Sequence, residues 1–374
     1  MPLRVTVIGP TPPLRGGIAH YTTALARVLR ERHAVQVVGL SRQYPRMFFP
    51  GTSEGDFSST TIAFRSDVQL DPLAPWTWPA TARAIAATTP DVIIVAWWQP
   101  TLGALLASFI RLLRRRSRAR VVWLCHNVAA HDATMFDRAL STYGLRVADA
   151  AIVHSRADAA RIRREHPHVR IARTTHPAYN LPEFGAAIAV DAARAQLGVS
   201  EDVLLCFGLV RRYKGLSDLL RAMPLVLRGH RCTLIVAGEF YEPRAPYESL
   251  IRELGVGDHV QLHDRYVPNE RVGVYFSAAD VLIAPYRAAT QSGAVALAQQ
   301  FHRPAIVTRV GGLSDMIHEN VTGLSVEPRN PEALAAAVLR IYTDGPATWA
   351  ARVRNARSAT WAEEVDAIEQ LADG

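Results

Sequence analysis

Lysine is almost missing from this chain of 374 residues: of its 42 basic residues, Lys214 alone is a lysine. A compositional drift toward arginine explains the rest. It does not explain the exception, which stands in a glycine-flanked turn after a strand-like run. Cysteine is scarce too. Cys125, Cys206 and Cys232 each sit inside an apolar run, and three thiols without CxxC spacing argue against a disulfide frame or a zinc site. Buried thiols in a reducing compartment are expected instead. No apolar run reaches bilayer length, since the longest, near Leu102–Leu113, is broken by Arg111. Met1–Ile8 runs directly into a strand-like stretch without the charged start, long apolar core or cleavage site of a signal peptide, so a cytoplasmic location is expected. No Asp-x-Asp closes a strand-like run, which removes the usual carboxylate pair for magnesium.

What is present points to a globular protein of two domains. Apolar residues make up 49% and charged residues 20%, which places the chain outside the disordered and fibrous classes. Its length is too great for one ordinary core. The charge is uneven: residues 1–180 hold 23 Arg against 11 acidic residues, a balance of +12, and the remainder holds 19 basic against 23 acidic, a balance of −4, which together make the overall +8. A basic first half fits an anionic partner, whether a phosphorylated substrate, a membrane surface or nucleic acid. Its densest cluster, Arg111, Arg114, Arg115, Arg116, Arg118 and Arg120, follows apolar residues at helical spacing. Docking on an anionic membrane and a plain solvated helix end account for that cluster equally well.

Strand and helix patterns alternate along the whole chain. Strands are expected at Arg4–Gly9, Ala34–Leu40, Asp91–Trp97, Arg120–Cys125 and Ala150–His154, with helices at Gly17–Glu31, Pro79–Ala87, Leu102–Arg115 and Arg156–Glu165. Residues 41–75 read as exposed loops with short strands, and residues 174–190 as a linker. The pattern then restarts with strand Val203–Phe207 and helix Leu216–Leu227, and continues to helix Pro331–Tyr342. The expected fold class is α/β: two facing Rossmann-like domains with parallel sheets flanked by helices. The first spans 1–180 and is joined by a C-terminal helix at 357–374; the second spans 185–350. Ligands of such domains bind at the carboxyl ends of the strands.

Glycine turns mark those ends. Gly16-Gly17 opens the first helix, where backbone N–H groups and the helix dipole can face an anion. It is not a GxGxxG, so a dinucleotide site is not indicated. In the second half, Gly208-Leu209-Val210-Arg211-Arg212-Tyr213-Lys214-Gly215 brings two guanidinium groups and an ammonium off one strand end. A diphosphate leaving group needs such cationic stabilisation when no metal supplies it. Two more turns, Gln291-Ser292-Gly293-Ala294 and Val310-Gly311-Gly312, follow later strands, each expected to open a helix. His126, at a strand end, is placed to orient a substrate or accept a proton, and His131 with Asp132 reads as a capping pair. Trp97 and Trp98 fit either sugar stacking or core packing.

Taken in order, these segments resemble a retaining glycosyltransferase of family 4 with the GT-B fold. The likeness is carried by Pro12–Tyr21, His126-Asn127, Ala148–Ser155, Phe207–Gly215, Ala237-Gly238-Glu239, Ala278–Pro285, Gln291-Ser292-Gly293, Arg303-Pro304 and Val310-Gly311-Gly312. It implies that Lys214, with Arg211 or Arg212, contacts the donor diphosphate without metal or other cofactor. It implies that Gly16 and Gly17 approach the same diphosphate, that His126 lies by the transferred sugar, and that Gly208, Glu239, Tyr266, Gln291, Ser292, Gly293 and Ala294 complete the donor site. The implied partners are a nucleoside-diphosphate sugar and a polysaccharide, glycolipid or other hydroxyl acceptor, with an anionic membrane as a peripheral contact and no nucleic acid. Two departures stand out. Leu209 replaces an arginine of the first turn, and Ala289 and Leu297 replace a pair of glutamates near the sugar and ribose. A sugar-nucleotide epimerase and a non-catalytic sugar-nucleotide-binding relative remain as alternatives; the first would need a carboxylate cluster that the sequence does not display.

Overall fold

The computed structural model describes residues 1–43, 55–127 and 135–373. It divides into two compact units: Met1–Asp56, Ile62–Tyr179 and Ala359–Gly374 in the first, Phe57–Thr61 and Asn180–Ser358 in the second. His131, Asp132 and part of the 41–75 loop lie outside the described residues.

In chain order, the first unit holds β1 (Arg4–Gly9), α1 (Gly17–Arg32), β2 (Ala34–Leu40), β3 (Val68–Leu70), α2 (Trp78–Ala87), β4 (Val92–Trp97), α3 (Pro100–Leu113), β5 (Arg120–Cys125), α4 (Met135–Leu145), β6 (Ala150–Val153), α5 (Arg156–Glu165) and β7 (Arg170–Arg173). Its sheet has the order β3-β2-β1-β4-β5-β6-β7, with every pairing parallel. β4 reads Val-Ile-Ile-Val-Ala-Trp and is buried along its whole length, as a strand covered on both faces must be. The reversal of strand order between β1 and β4 creates the crevice at which such sheets bind ligands.

The second unit repeats this plan: α6 (Val190–Leu197), β8 (Asp202–Phe207), α7 (Leu216–Gly229), β9 (Cys232–Ala237), α8 (Ala245–Glu253), β10 (Val260–His263), α9 (Asn269–Ala278), β11 (Val281–Ala284), α10 (Gly293–Gln300), β12 (Ala305–Thr308), β13 (Gly323–Val326), α11 (Pro331–Asp344) and α12 (Pro346–Asn355). Its parallel sheet runs β10-β9-β8-β11-β12-β13. The last helix, α13 (Trp361–Asp373), belongs to the first unit, where Trp361 Nε1 donates to the Ala178 carbonyl at 2.8 Å. Each unit is thus a parallel sheet flanked by helices, the α/β class expected from the sequence.

Several elements differ from the sequence reading. The stretch read as a linker is packed: Phe184 is buried in a 3₁₀ turn, and α6 follows with Ala193 as its buried residue and Gly198 as a left-handed C-cap. A helix of eight residues with a single buried position leaves no apolar stripe to detect. β3 falls in the stretch expected to hold short strands, but α4, β7, β13 and α12 escaped notice, because short or polar elements are defined by their neighbours more than by pattern. The 57–61 segment, read as a loop of the first domain, packs in the second unit. There Ser58 Oγ accepts the Asn269 N–H at 2.9 Å, and the Ser59 and Thr60 N–H groups donate to Glu270 at 3.1 and 3.2 Å.

The amphipathic segment rich in arginine is α3. Its apolar residues Leu102, Leu106, Phe109, Ile110 and Leu113 are in the core, and the arginine tip meets solvent. Arg111 lies over the Tyr143 ring at 3.9 Å and Arg114 reaches Asp149 at 2.7 Å. Among the described residues no helix is long and apolar enough to cross a membrane. All three cysteines are free and buried.

Candidate active site

In a parallel sheet each crossover helix runs back toward the start of the next strand. The N-termini of the helices therefore gather at the carboxyl edge of the sheet, and their C-termini at the opposite edge. In the first unit this puts Gly16-Gly17, after β1, and His126, after β5, on the same edge. The tip Arg114–Arg118 lies on the far edge, in the turn that leads into β5.

Gly16 takes φ +112°, which disfavours any side chain, and its surroundings are open: a Cβ there would meet nothing within 4 Å. A backbone this bare can lie directly against a ligand. Gly17 begins α1 with a Cβ position 3.0 Å from the Tyr179 hydroxyl. His126 is buried, and its N–H donates to the Trp97 carbonyl at 2.8 Å. Its imidazole rests edge-on against Tyr21, with ring centres 4.7 Å apart. Burial, with His154 and His176 nearby, holds the His126 pKa well below the usual histidine range. The ring is neutral at physiological pH and serves hydrogen bonding better than charge. Trp97 is a core residue: it meets Trp123 edge-on at 5.0 Å, and Gly103 and Gly144 leave the room its ring occupies.

In the second unit, Lys214 closes a 3₁₀ turn, Arg212–Lys214, between β8 and α7. Its Nζ lies over the Tyr286 ring at 5.3 Å and 3.2 Å from where a Gly208 Cβ would stand. Any larger residue at Gly208, which has φ +99°, would crowd that ammonium. The Tyr286 hydroxyl is 3.1 Å from Ser292 Oγ, so Lys214, Gly208, Tyr286 and Ser292 form one connected group. Gly293 and Ala294 begin α10, and Ser292 directs its N–H at Met316 Sδ, 3.1 Å away. Gln291 is half-buried beside them.

Arg211 and Arg212 part company. The Arg211 guanidinium stacks over Tyr241 at 4.8 Å, and the Arg212 N–H donates to Glu242 at 2.8 Å. Glu239 is buried after β9, its carbonyl accepting the Val210 N–H at 2.9 Å. Tyr266, half-buried, sits on the loop from β10 to α9.

Three glycines lock these loops together. A Cβ on Gly215 would strike the Pro285 carbonyl, one on Gly238 the Gly208 carbonyl, and one on Gly311 the Ala289 carbonyl, and all three have positive φ. The Gly311-Gly312 turn was expected to open a helix. It opens only a 3₁₀ turn at Ser314–Met316, so its place is in this loop packing and it offers no helix dipole. The structure also adds residues that sequence reasoning passed over. Arg287 makes a bidentate pair with buried Asp218 at 2.7 and 2.8 Å, and its N–H donates to the Tyr213 carbonyl, which steadies the lysine turn. Ala289 and Leu297 are both buried. Among the described residues no three His, Cys, Asp or Glu side chains converge as a metal site.

Comparison with known proteins agrees with this fold. The whole chain follows the fold of Anabaena HepE, solved in complex with UDP, with a TM-score of 0.73, 14% identity and full coverage of both chains. Sucrose-phosphate synthase from Thermosynechococcus elongatus matches with a TM-score of 0.72 and 22% identity, covering 98% of this chain and 97% of that one. Residues 15–175 match the family described as Glycosyltransferase Family 4, and residues 201–344 that described as Glycosyl transferases group 1. The chain thus carries a family 4 glycosyltransferase domain followed by a group 1 glycosyltransferase domain. It is also 31% identical over 210 residues to D-inositol 3-phosphate glycosyltransferase 1 of Catenulispora acidiphila, a match that covers 52% of this chain and 50% of that protein. The match spans about half the length of that curated relative.

Proposed function

We propose that this protein is a retaining, metal-independent glycosyltransferase that moves a sugar from a nucleoside-diphosphate sugar to a hydroxyl of a polysaccharide, glycolipid or other acceptor. The observation that carries the reading is the setting of Lys214. The chain's only lysine projects from the turn after β8 to a glycine-bared backbone and an aromatic face, with two arginines in the same turn. Both matched domains support it, as does the UDP held by HepE.

In this reading Lys214 neutralises the charge that develops on the diphosphate as the bond from the anomeric carbon to the phosphate oxygen breaks. Arg211, stacked on Tyr241, is the second cation, and Arg212 reaches the same leaving group. Gly208, Glu239, Tyr266, Gln291, Ser292, Gly293 and Ala294 contact the donor, and Gly16-Gly17 offers backbone N–H groups to the diphosphate. The leaving phosphate oxygen takes the acceptor's proton as the new bond forms on the same face. His126, uncharged, orients the sugar by hydrogen bonding. The arginine tip of α3, on the edge away from His126, is free for an anionic surface without entering this chemistry. A cytoplasmic enzyme of polysaccharide biosynthesis fits these roles.

Lys214→Ala is expected to lower turnover of a nucleotide sugar by about 10²–10³-fold while the fold persists. Wild-type turnover in that variant would overturn the reading. A second reading, a non-catalytic sugar-nucleotide binder, is favoured by the buried apolar Ala289 and Leu297 where the resemblance expects glutamates. A panel of nucleotide sugars separates the two: stabilisation on heating without turnover supports the binder, and no stabilisation by any of them counts against both.

A further inference from the structure

Beneath α1 the first unit buries a cluster of polar rings that the proposed chemistry does not use directly. Tyr21 is fully buried. Its ring meets His126 at 4.7 Å, Trp361 at 4.9 Å, His176 at 5.0 Å and His154 at 5.6 Å between centres. Its hydroxyl donates to Glu364 Oε1 at 2.8 Å. Glu364 lies in the first turn of α13 and is itself fully buried, so residues 343 apart in sequence share one hydrogen bond.

A carboxyl with no exposure is costly unless it does something an apolar side chain could not. Anchoring α13 is already provided for. Trp361, Val365, Ile368 and Leu371 are buried on the same helix, Trp361 is hydrogen-bonded to Ala178, and Arg32 ties the outer face to Asp366 and Glu369 at 2.8 Å each. Beside its hydrogen bond with Thr174, Glu364 holds the direction of the Tyr21 hydroxyl. That direction sets the plane of a ring whose neighbour is the His126 imidazole.

We propose that Glu364 is a positioning residue: by holding the Tyr21 hydroxyl it fixes the ring that seats His126 at the end of β5. This rests on the reading that His126 orients the transferred sugar. Glu364 is faced by the hydroxyls of Tyr21, from α1, and Thr174, after β7, and the Tyr21 ring is in turn faced by His126 after β5, His154 after β6, and His176 and Tyr179 after β7. Burial lowers His154 to about 4 and His176 to about 3, so neither imidazole carries a charge near neutrality. His126 is then oriented by shape and hydrogen bonding, which is what a rigid Tyr21 supplies.

The experiment is a double-mutant cycle on the full chain, read as sugar transfer. Glu364→Ala and Tyr21→Phe are each expected to lower kcat about tenfold with the donor KM within about twofold, as loss of a well-placed orienting group does. Glu364→Gln, whose amide oxygen still accepts from Tyr21, is expected to restore kcat to within about threefold of wild type. In a His126→Ala background the Tyr21→Phe effect is expected to vanish. An undiminished effect in that background, or a wild-type kcat in Tyr21→Phe, overturns the proposal. Should Glu364→Ala fail to fold, Tyr21→Phe and Glu364→Gln still decide it. Wild-type turnover in Lys214→Ala would instead remove the glycosyltransferase reading itself, whatever the Glu364 variants show.

Discussion

The two units share one plan, strand, glycine turn, helix, yet their candidate residues work by different physics. In the first unit the polar groups at the carboxyl edge are buried: His126, His154 and His176 have lowered pKa values and stay neutral, and Tyr21 and Glu364 meet inside the core. In the second the key groups are permanent cations on turns: Lys214 over Tyr286, Arg211 over Tyr241, and Arg287 paired with Asp218. In the proposed reaction one unit sets shape and hydrogen-bond direction, and the other supplies charge. The same architecture serves both because the sheet only gathers turns at one edge and leaves their chemistry open.

Breaking the glycine lock of the second unit should have the largest effect. Gly215→Ala drives a Cβ into the Pro285 carbonyl at a backbone φ of +70°, and a loss of more than about 4 kcal/mol is expected. Denaturant unfolding would show it; a loss of only about 1 kcal/mol, the size of an ordinary substitution, would mean the loop can shift. Arg287→Ala comes next, since it leaves Asp218 buried without its partner; about 3 kcal/mol is expected, again by chemical unfolding.

The first unit is best probed through pH. Burial raises Glu364 from 4.5 to about 7, against the opposing hydrogen bonds from Thr174 and Tyr21. A raised carboxyl favours the folded state fully below its unfolded pKa, and that contribution fades as pH rises through the folded value. Relative to wild type, Glu364→Gln should therefore gain stability between about pH 4.5 and 7, by up to about 3 kcal/mol. Unfolding curves at pH 5 and pH 8 check the sign. The buried histidines act the other way: their lowered pKa values contribute stability above their unfolded value near 6.5, and it is lost as pH falls toward 4 and 3. The smallest effect is expected on the far edge, where Arg115→Ala should change stability by less than about 0.5 kcal/mol and leave turnover unchanged. A large loss of turnover there would tie the arginine tip to the reaction and blur the contrast between the edges.

Much of this was legible in the chain. Val-Ile-Ile-Val-Ala-Trp reads as a strand buried on both sides, and Gly208–Gly215 reads as a basic turn, because both signals are local. Tyr21 was visible only as part of a motif, and nothing near it announces Glu364. Tyr286, Arg287 and Asp218 are likewise ordinary until folding brings β11 beside β8. The false helix after Gly311 came from the opposite error: a glycine pair permits a helix start, but here its close approach to Ala289 uses it for packing.

The sequence by itself determined the alternation of strands and helices, the two-domain plan and the single lysine in its glycine turn. These depend on periodicity and on residue types a few positions apart. Only the tertiary structure decided that α13 returns to the first unit, that Glu364 faces Tyr21, and that the arginine tip stands away from His126. Such facts depend on which surfaces meet across hundreds of residues, and burial against a distant partner leaves no periodic mark on either segment.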